Sequence, residues 1–311
     1  MQSSRLTTSE QVASAWHLGG LTFRELSKRV FRGIREDDLL SRASDLAFNS
    51  ILALFPLLLF LLSLLGIFES HSDELRTRLL TYFAQLLPPA GFRILDRTLI
   101  EISMNANTGK VTFGIVLAVW FASGGMSSMI SGLNRVYEVN DSRSWIKVRA
   151  ISIGLTVAIA VLIVSALVTV LAGGYIANSI GTHYSLHELT IIVERIAQNV
   201  IALVFVTLAF SLIYYFGADL QEQHWYWITP GSVTGVLLWV LASLSFRAYL
   251  HFFNSYSKTY GSLGAAMILL IWLFITGFAF LVGGEVNAQI EHAAALRGHP
   301  EAKAPGEKKA A

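Results

Sequence analysis

Six polar residues stand at the ends of long apolar segments, where an unpaired charge or amide is costly. They are Asp45, Asn49, Asn134, Arg135, Glu285 and Asn287. Arg135 suits a phosphate, because a planar guanidinium binds such an anion through two parallel N–H groups. Glu285 or Asp45 would then supply a counter-charge or a proton-binding group, and the asparagines would be neutral donors. We therefore predict a substrate-binding site for an anionic head group; the alternative is that these residues only anchor or pair helices.

A second group of polar residues combines cations with tyrosines: Arg247, Tyr256, Lys258 and Tyr260. Aromatic residues at a membrane boundary usually form an interfacial belt. The same combination of cations and phenol groups would also hold an anionic head group. Both interpretations stay open, and we predict a second substrate contact here, on the side of the membrane opposite to Arg135.

The sequence lacks the residues that most catalytic and metal sites use. It contains no cysteine, and its eight histidines are scattered along the chain. Neither a Walker A loop nor a Gly-x-Ser-x-Gly nucleophile elbow is present. A formal net charge of only +2 gives no basic footprint for a nucleic acid. We expect no catalytic residue, no metal, no cofactor and no nucleic-acid partner.

Composition places these residues in a membrane. Of the 311 residues, 54% are hydrophobic and 14% are charged, whereas a soluble domain has about 25% charged residues. Six segments reach the roughly 20 residues that a membrane span needs. They cover about 45–68, 111–135, 148–176, 191–216, 228–251 and 262–287. The sequence therefore predicts an all-α, polytopic membrane protein with six transmembrane helices and additional amphipathic interfacial helices.

Lysine and arginine predict which side of the membrane each end occupies. Seven precede the first span and four follow the sixth, whereas the connection between the third and fourth spans has none. Both termini are therefore expected in the cytoplasm. We divide the chain into a cytoplasmic amphipathic region at 1–44, a six-helix domain at 45–288, and a disordered cytoplasmic tail at 289–311.

The amphipathic region repeats apolar side chains at helical spacing. Phe23, Leu26, Val30 and Ile34 recur every three or four residues, with bases between them. This pattern is typical of a helix that lies in an anionic membrane surface. A helix packed against the cytoplasmic face of the bundle has the same pattern, so both interpretations stay open.

Small residues mark the faces where helices approach each other in lipid. In the stretch WFASGGMSSMISGLNRVYEV they form two lines, Ser123, Ser127 and Ser131 beside Gly124, Ser128 and Gly132. We predict that a neighbouring helix docks along these lines; a gap that admits a lipid chain is the alternative. The glycine pair Gly283 and Gly284, just before Glu285, likewise predicts that the backbone of another helix approaches closely there.

Four blocks together resemble the YihY/BrkB family of bacterial inner-membrane proteins. They are DLAFNSILALFPLLLFLLSLLGIF, SGGMSSMISGLNRVYEVNDSRSW, LIYYFGAD with WYWITPG, and YSKTYGSLGAAMILLIWLFITGFAFLVGGEVNAQIE. The resemblance covers nearly all of residues 20–292, in order. It implies a six-span protein of the cell envelope in the bacterial inner membrane. The family has been labelled ribonuclease BN and linked to serum resistance and envelope lipid export, without a settled biochemical activity.

Three classes of function follow. A ribonuclease is rejected, because the metal-ligand pattern and the basic cleft that RNA hydrolysis needs are missing. Transport or flipping of an anionic lipid or other amphiphile fits the polar groups at both sides, with membrane lipids as partners. A non-transporting scaffold or assembly factor is the alternative, in which a homo-oligomer or envelope proteins would be the partners.

Overall fold

In the computed structural model of the protein, residues 16–52, 108–184, 187–220, 228–252 and 255–297 are described, together with 302 and 305–306. Within these ranges the chain is all-helical and contains no strand. A short 3-10 turn at Leu18–Gly20 precedes the helices. The helices are α1 (Phe23–Glu36), α2 (residues 39–52), α3 (Thr108–Val136), α4 (Trp145–Tyr184), α5 (His187–Gly217), α6 (Pro230–Phe252) and α7 (Ser255–Leu296).

Four helices of the described ranges are long and apolar enough to cross a membrane. These stretches are Trp145–Ala166 in α4, Ile196–Gly217 in α5, Pro230–Tyr249 in α6 and Met267–Leu296 in α7. They coincide with the third to sixth predicted spans, and the chain is a multi-pass membrane protein. The second predicted span is the helix α3, which is not among the four, and most of the first lies outside the described residues. The count of six spans therefore stays a prediction.

The membrane helices carry apolar side chains on their outward faces as well as inside. On α4, Val157, Val161, Val164 and Val168 are all exposed. Their spacing of three or four residues places them along one side of the helix. A helix that is apolar all round is stable only when lipid or protein covers every side, which is why α4 is so easily recognised from sequence.

The helix α1 begins at a complete capping box. The hydroxyl of Thr22 accepts from the backbone N–H of Glu25, while the Glu25 carboxylate accepts from the backbone N–H of Thr22. Its buried residues Leu26, Val30 and Gly33 pack against α7. Packing against the bundle therefore explains the apolar residues on one side of this amphipathic helix.

The helices α6 and α7 cross at glycines. A Cβ on Gly283 would lie 2.6 Å from the Gly231 carbonyl oxygen and 3.0 Å from the Cα of Gly235. Close beside this crossing, the Tyr214 hydroxyl of α5 donates to the Phe280 carbonyl oxygen at 2.6 Å. The predicted close approach at 283–284 is confirmed: the backbones of α6 and α7 meet there, and the Tyr214 side chain joins α5 to the same end of the bundle.

The small-residue face of α3 meets two different helices. The Ser127 and Ser152 hydroxyl oxygens lie 2.8 Å apart, which joins α3 to α4. A Cβ on Gly132 would lie 2.7 Å from a Leu281 methyl carbon of α7. Around Gly124, by contrast, no atom of another described element lies within 4 Å of a built Cβ. Helix docking is therefore confirmed at Ser127 and Gly132 but not at Gly124.

A buried apolar core lies where α2, α3, α5 and α7 converge. Its most completely buried apolar side chains are Leu39, Leu46, Ile130, Leu133, Val136, Phe280 and Leu281. This core lies directly beside the last turn of α3 and the Glu285 turn of α7. The polar residues at these positions are therefore held by rigid surroundings.

Candidate functional site

Arg135, in the last turn of α3, forms its ion pair with a partner that the sequence did not point to. Its Nε lies 3.3 Å from Oδ1 of Asp37, in the turn between α1 and α2. One Nη also donates to the Glu36 carbonyl oxygen at 3.2 Å. The expected pairing of Arg135 with Asp45 or Glu285 is therefore wrong. The Arg135 side chain stays 51% exposed, whereas that of Asp37 is 8% exposed.

Burial raises the pKa of the Asp37 carboxyl from its usual 3.8 to about 6. The Arg135 guanidinium opposes this rise in pKa, whereas the nearby carboxylates of Glu138 and Glu36 add to it. Desolvation therefore outweighs the ion pair at this carboxyl. The Arg135–Asp37 contact will change with pH in the mildly acidic range.

This pKa predicts how stability depends on pH. The folded protein binds the Asp37 proton more tightly than the unfolded chain does, so stability falls as pH rises from about 4 to about 6. The loss amounts to about 3 kcal/mol, since one pKa unit is about 1.4 kcal/mol. Asp37→Asn should remove this part of the dependence. Thermal midpoints of both proteins in detergent across this window will measure it; a wild-type midpoint that rises relative to the variant would contradict the assignment.

Glu285 is completely buried in α7. Its Oε1 accepts from the side-chain amide of Gln289 at 2.9 Å, and its Oε2 has no hydrogen-bond partner among the described residues. Gly33 of α1 covers the carboxyl so closely that a Cβ there would overlap Oε1. Asp37, Glu36 and Glu138 are near enough to repel a charge on Glu285. The carboxyl is thus surrounded by acids and by one neutral donor.

Asn134 belongs to a polar network that ties the loop after α3 to the end of α5. Its Nδ2 donates to Asp141 at 2.8 Å, and its Oδ1 accepts from the backbone N–H of Asp219 at 2.7 Å. Arg143 donates to both carboxylate oxygens of Asp141, each at 2.8 Å, and to the Gly217 carbonyl oxygen at 2.9 Å. Both ends of the Asn134 amide are therefore occupied by protein groups.

The other members of this network, Asp141, Arg143 and Asp219, are functional-site neighbours that the sequence did not predict. Ser142 adds to it, because its backbone N–H and its hydroxyl both donate to one oxygen of Asp219 at 2.8 Å. Asp141 and Arg143 follow α3 within a few residues. Two opposite charges in so short a loop are the sequence feature from which their pairing could have been predicted. Their partner Asp219 lies far along the chain, and nothing local connects the two.

Asn287 caps the start of α6. Its Oδ1 accepts from the backbone N–H of Gly231 at 2.8 Å, and its Nδ2 donates to the Thr229 hydroxyl at 3.0 Å. Backbone N–H groups of a first helical turn have no partner within the helix, so such a cap stabilises the helix end. Asn287 thus fixes α6 to α7 just beyond the glycine crossing.

Asp45 and Asn49 do not join this end of the bundle. Asp45 is exposed on α2, and the Asn49 side-chain amide donates to the Asp45 carbonyl oxygen at 2.9 Å, within its own helix. The structure therefore brings together Asn134, Arg135 and Glu285 with Asn287, as four of the six predicted residues. Whether any of the six contacts a substrate stays a prediction.

The second predicted group lies at the junction of α6 and α7. Arg247 is exposed near the end of α6, and Tyr256, Lys258 and Tyr260 lie in the first turns of α7. The role of these four residues in holding a head group also stays a prediction. Within the described part of the chain, no three His, Asp or Glu side chains are grouped so that they could hold a metal ion.

The chain is similar to membrane proteins from several bacteria. It is 30% identical over 248 residues to YfkH of Bacillus subtilis (strain 168), which is named as ribonuclease-like; the match covers 80% of this chain and 88% of that protein. A UPF0761 membrane protein of Vibrio atlanticus (strain LGP32) is 26% identical, over 86% of this chain and 82% of the relative. Another, from Vibrio cholerae serotype O1, is 29% identical, over 88% of each chain.

No solved structure matches this chain. The family model described as Virulence factor BrkB matches residues 30–307, which include α2 to α7 and the polar end of the bundle. This confirms the resemblance drawn from the quoted sequence blocks. The chain belongs to the Virulence factor BrkB family.

Proposed function

We propose that this protein moves an anionic lipid or a similar amphiphile across the bacterial inner membrane, with both termini in the cytoplasm. The observation that supports it is Arg135, a half-exposed guanidinium fixed at the end of the bundle. Asp37 and the Glu36 carbonyl oxygen hold one edge of it, and the exposed part remains for an incoming anion. A phosphate would gain paired, charge-assisted N–H contacts there.

The three asparagines contribute fewer free hydrogen-bond donors to a head group than the sequence predicts. Both ends of the amides of Asn134 and Asn287 are engaged with protein groups, and Asn49 donates within its own helix. In this proposal the head group therefore depends on Arg135. Asn134, which is buried, and Asn287, which is partly buried, act by holding α3, α5 and α6 in place around it.

Glu285 is the proton-binding group in this proposal. Its carboxyl is buried without a cationic partner among the described residues, and an ionised carboxylate in such surroundings is costly. Proton uptake and release at Glu285 would therefore change how tightly α1 packs on α7. That change gives transport a route by which to be coupled to a proton.

A scaffold without transport activity is the second candidate. The Arg143 network and the Asn287 cap support it, because their hydrogen bonds hold helix ends together. We do not propose an enzyme. The name of YfkH refers to a ribonuclease, but this chain, with a net charge of +2, lacks the strong overall positive charge that is typical of RNA-binding proteins.

Lipid retention tests the proposal. We expect native mass spectrometry to find a selective anionic lipid on the wild type, and at least about tenfold less of it on Arg135→Ala, because a hydrogen bond to a charged group contributes about 1.5–3 kcal/mol. Lys147→Ala removes an exposed cation at the same end of the bundle and should retain the lipid. Equal retention by all three proteins would make Arg135 structural and favour the scaffold.

Two further variants separate binding from folding and from coupling. Arg135→Ala combined with Asp37→Asn does not leave Asp37 as an unpaired acid, so lipid loss in the double variant is not caused by that charge. Glu285→Gln should keep the lipid but lose the dependence of flux on a proton gradient in vesicles. Unchanged proton dependence in Glu285→Gln would exclude Glu285 from the mechanism.

A further inference from the structure

The amphipathic helix α1 has two apolar sides, and the bundle covers only one of them. Leu26 and Val30 are buried where α1 packs on α7. Phe23 and Phe31 remain 78% and 58% exposed. Successive residues of a helix turn by about 100°, so the two phenylalanines lie about 80° apart around the axis. They form one outward apolar edge, which the packing of the described residues leaves uncovered.

A stripe of basic side chains runs beside this edge. Arg24, Lys28 and Arg35 are exposed, and with Phe31 they fall within about 60° around the helix, opposite the buried side. The Arg35 guanidinium lies 4.8 Å from the centre of the Phe31 ring. Within the described ranges no ion pair engages any of these three bases. Their charge is therefore free to attract an anionic surface.

The position of α1 in the fold places it near the membrane boundary. It packs along the last part of α7, whose apolar stretch ends at Leu296. At α4, the apolar stretch begins with Trp145 and Ile146, which are 70% and 73% exposed. Exposed tryptophan at the start of an apolar span is typical of the boundary between lipid and water. The start of α4 and the end of α7 lie at the same end of the bundle, so α1 lies at this boundary.

We propose that the outward face of α1, formed by Phe23, Phe31, Arg24, Lys28 and Arg35, docks on the anionic head groups of the bilayer that holds the bundle. Apolar side chains of an interfacial helix enter the head-group region, and each nearby base adds attraction to anionic lipid. The inward side of the same helix covers Glu285 through Gly33. The docked helix would thus connect the membrane surface to the buried carboxyl. The inference holds whether or not the chain transports lipid.

Single spin labels can locate this face. The chain contains no cysteine, so Phe23→Cys, Phe31→Cys and Arg32→Cys each provide one attachment site. Arg32 is exposed and lies about 180° from Phe23 and about 100° from Phe31 around the helix, so it is the control outside the apolar edge. Each labelled full-length protein is placed in lipid nanodiscs of phosphatidylcholine alone or with phosphatidylglycerol. Collisions of the label with oxygen and with a water-soluble nickel complex are then measured by electron paramagnetic resonance.

We expect labels at 23 and 31 to collide more with oxygen and less with nickel than the label at 32, and only in discs that contain phosphatidylglycerol. Adding Lys28→Gln to the Phe31→Cys protein should lower the ratio of docked to undocked spectra roughly fivefold, which corresponds to about 1 kcal/mol per base near an anionic surface. Equal nickel exposure at all three positions would overturn the proposal. Equal behaviour in both lipids would overturn the requirement for anionic lipid, and shielding from both reagents would mean that a protein covers the face.

Discussion

A single methyl group at the crossing of α6 and α7 is expected to destabilise the protein strongly. In Gly283→Ala the new Cβ would lie 2.6 Å from the Gly231 carbonyl oxygen and 3.0 Å from the Gly235 Cα, which are backbone atoms and cannot move aside alone. Overpacking of this kind costs about 1–3 kcal/mol, and we expect the upper end because α6 must shift as a whole. The measurement is the thermal unfolding midpoint in detergent.

Gly124→Ala is the matched control for this change. It adds the same methyl group to the long apolar helix α3, but outside that helix's own backbone no atom of the described residues lies within 4 Å of the new Cβ. Without a clash, replacing glycine by alanine within a helix favours folding by up to about 1 kcal/mol. The two variants should therefore shift the midpoint in opposite directions. Equal losses would show that α6 and α7 do not approach each other as closely as described.

Removing the Arg143 guanidinium is the second change with a large expected effect. The side chain is only 7% exposed and lies between two carboxylates, 2.8 Å from Asp141 and 3.6 Å from Asp219. In Arg143→Gln these acids would face each other without a cation. Breaking a buried pair from one side costs about 3–5 kcal/mol, because an uncompensated charge remains. Because the Asp141 side chain is 26% exposed, solvent screens part of this cost and we expect about 3 kcal/mol or less. We expect a loss of that size in the unfolding free energy, or a failure to fold at 37 °C.

Two control variants and a measurement of pH dependence test whether the loss in Arg143→Gln comes from its ion pairs. Lys147→Gln removes an exposed cation from the same helix start and should change stability by less than about 0.5 kcal/mol. Asp141→Asn should restore part of the loss when combined with Arg143→Gln. The hydrogen bonds of Arg143 lower the pKa of Asp141, so this part of the stability is present above the usual pKa of 3.8 and is lost as pH falls below it. An acid dependence that is identical in wild type and Arg143→Gln would refute the pairing.

Much of the architecture could be predicted from local properties of the chain. The spans in α4 to α7 follow from apolar length, because a bilayer requires about 20 such residues in a row. The close approach at Gly283 follows from small residues, because backbones meet only where side chains are absent. The convergence of Asn134, Arg135, Glu285 and Asn287 follows from topology, since alternate helix ends reach the same side of a membrane.

The partners of these residues could not be predicted in the same way. Arg135 contacts Asp37 rather than Asp45 because Asp37 lies in the turn that returns α1 to the bundle, while Asp45 faces outward on α2. The direction in which each helix faces depends on how all the helices pack together, and no single segment contains that information. The same reason hid the pairing of Arg143 with Asp219 and the cap that Asn287 forms on α6.

By itself, then, the sequence determined that this is an all-helical membrane protein with a polar end, because apolar length, charge and small-residue spacing are local quantities. Only the tertiary structure decided which polar groups are satisfied and which remain available. In that structure the amides of Asn134 and Asn287 are hydrogen-bonded to protein groups and Glu285 is buried beneath Gly33, whereas Arg135 is half exposed. Those outcomes depend on helix rotation and on contacts between residues far apart in the chain, which are determined only when the helices pack.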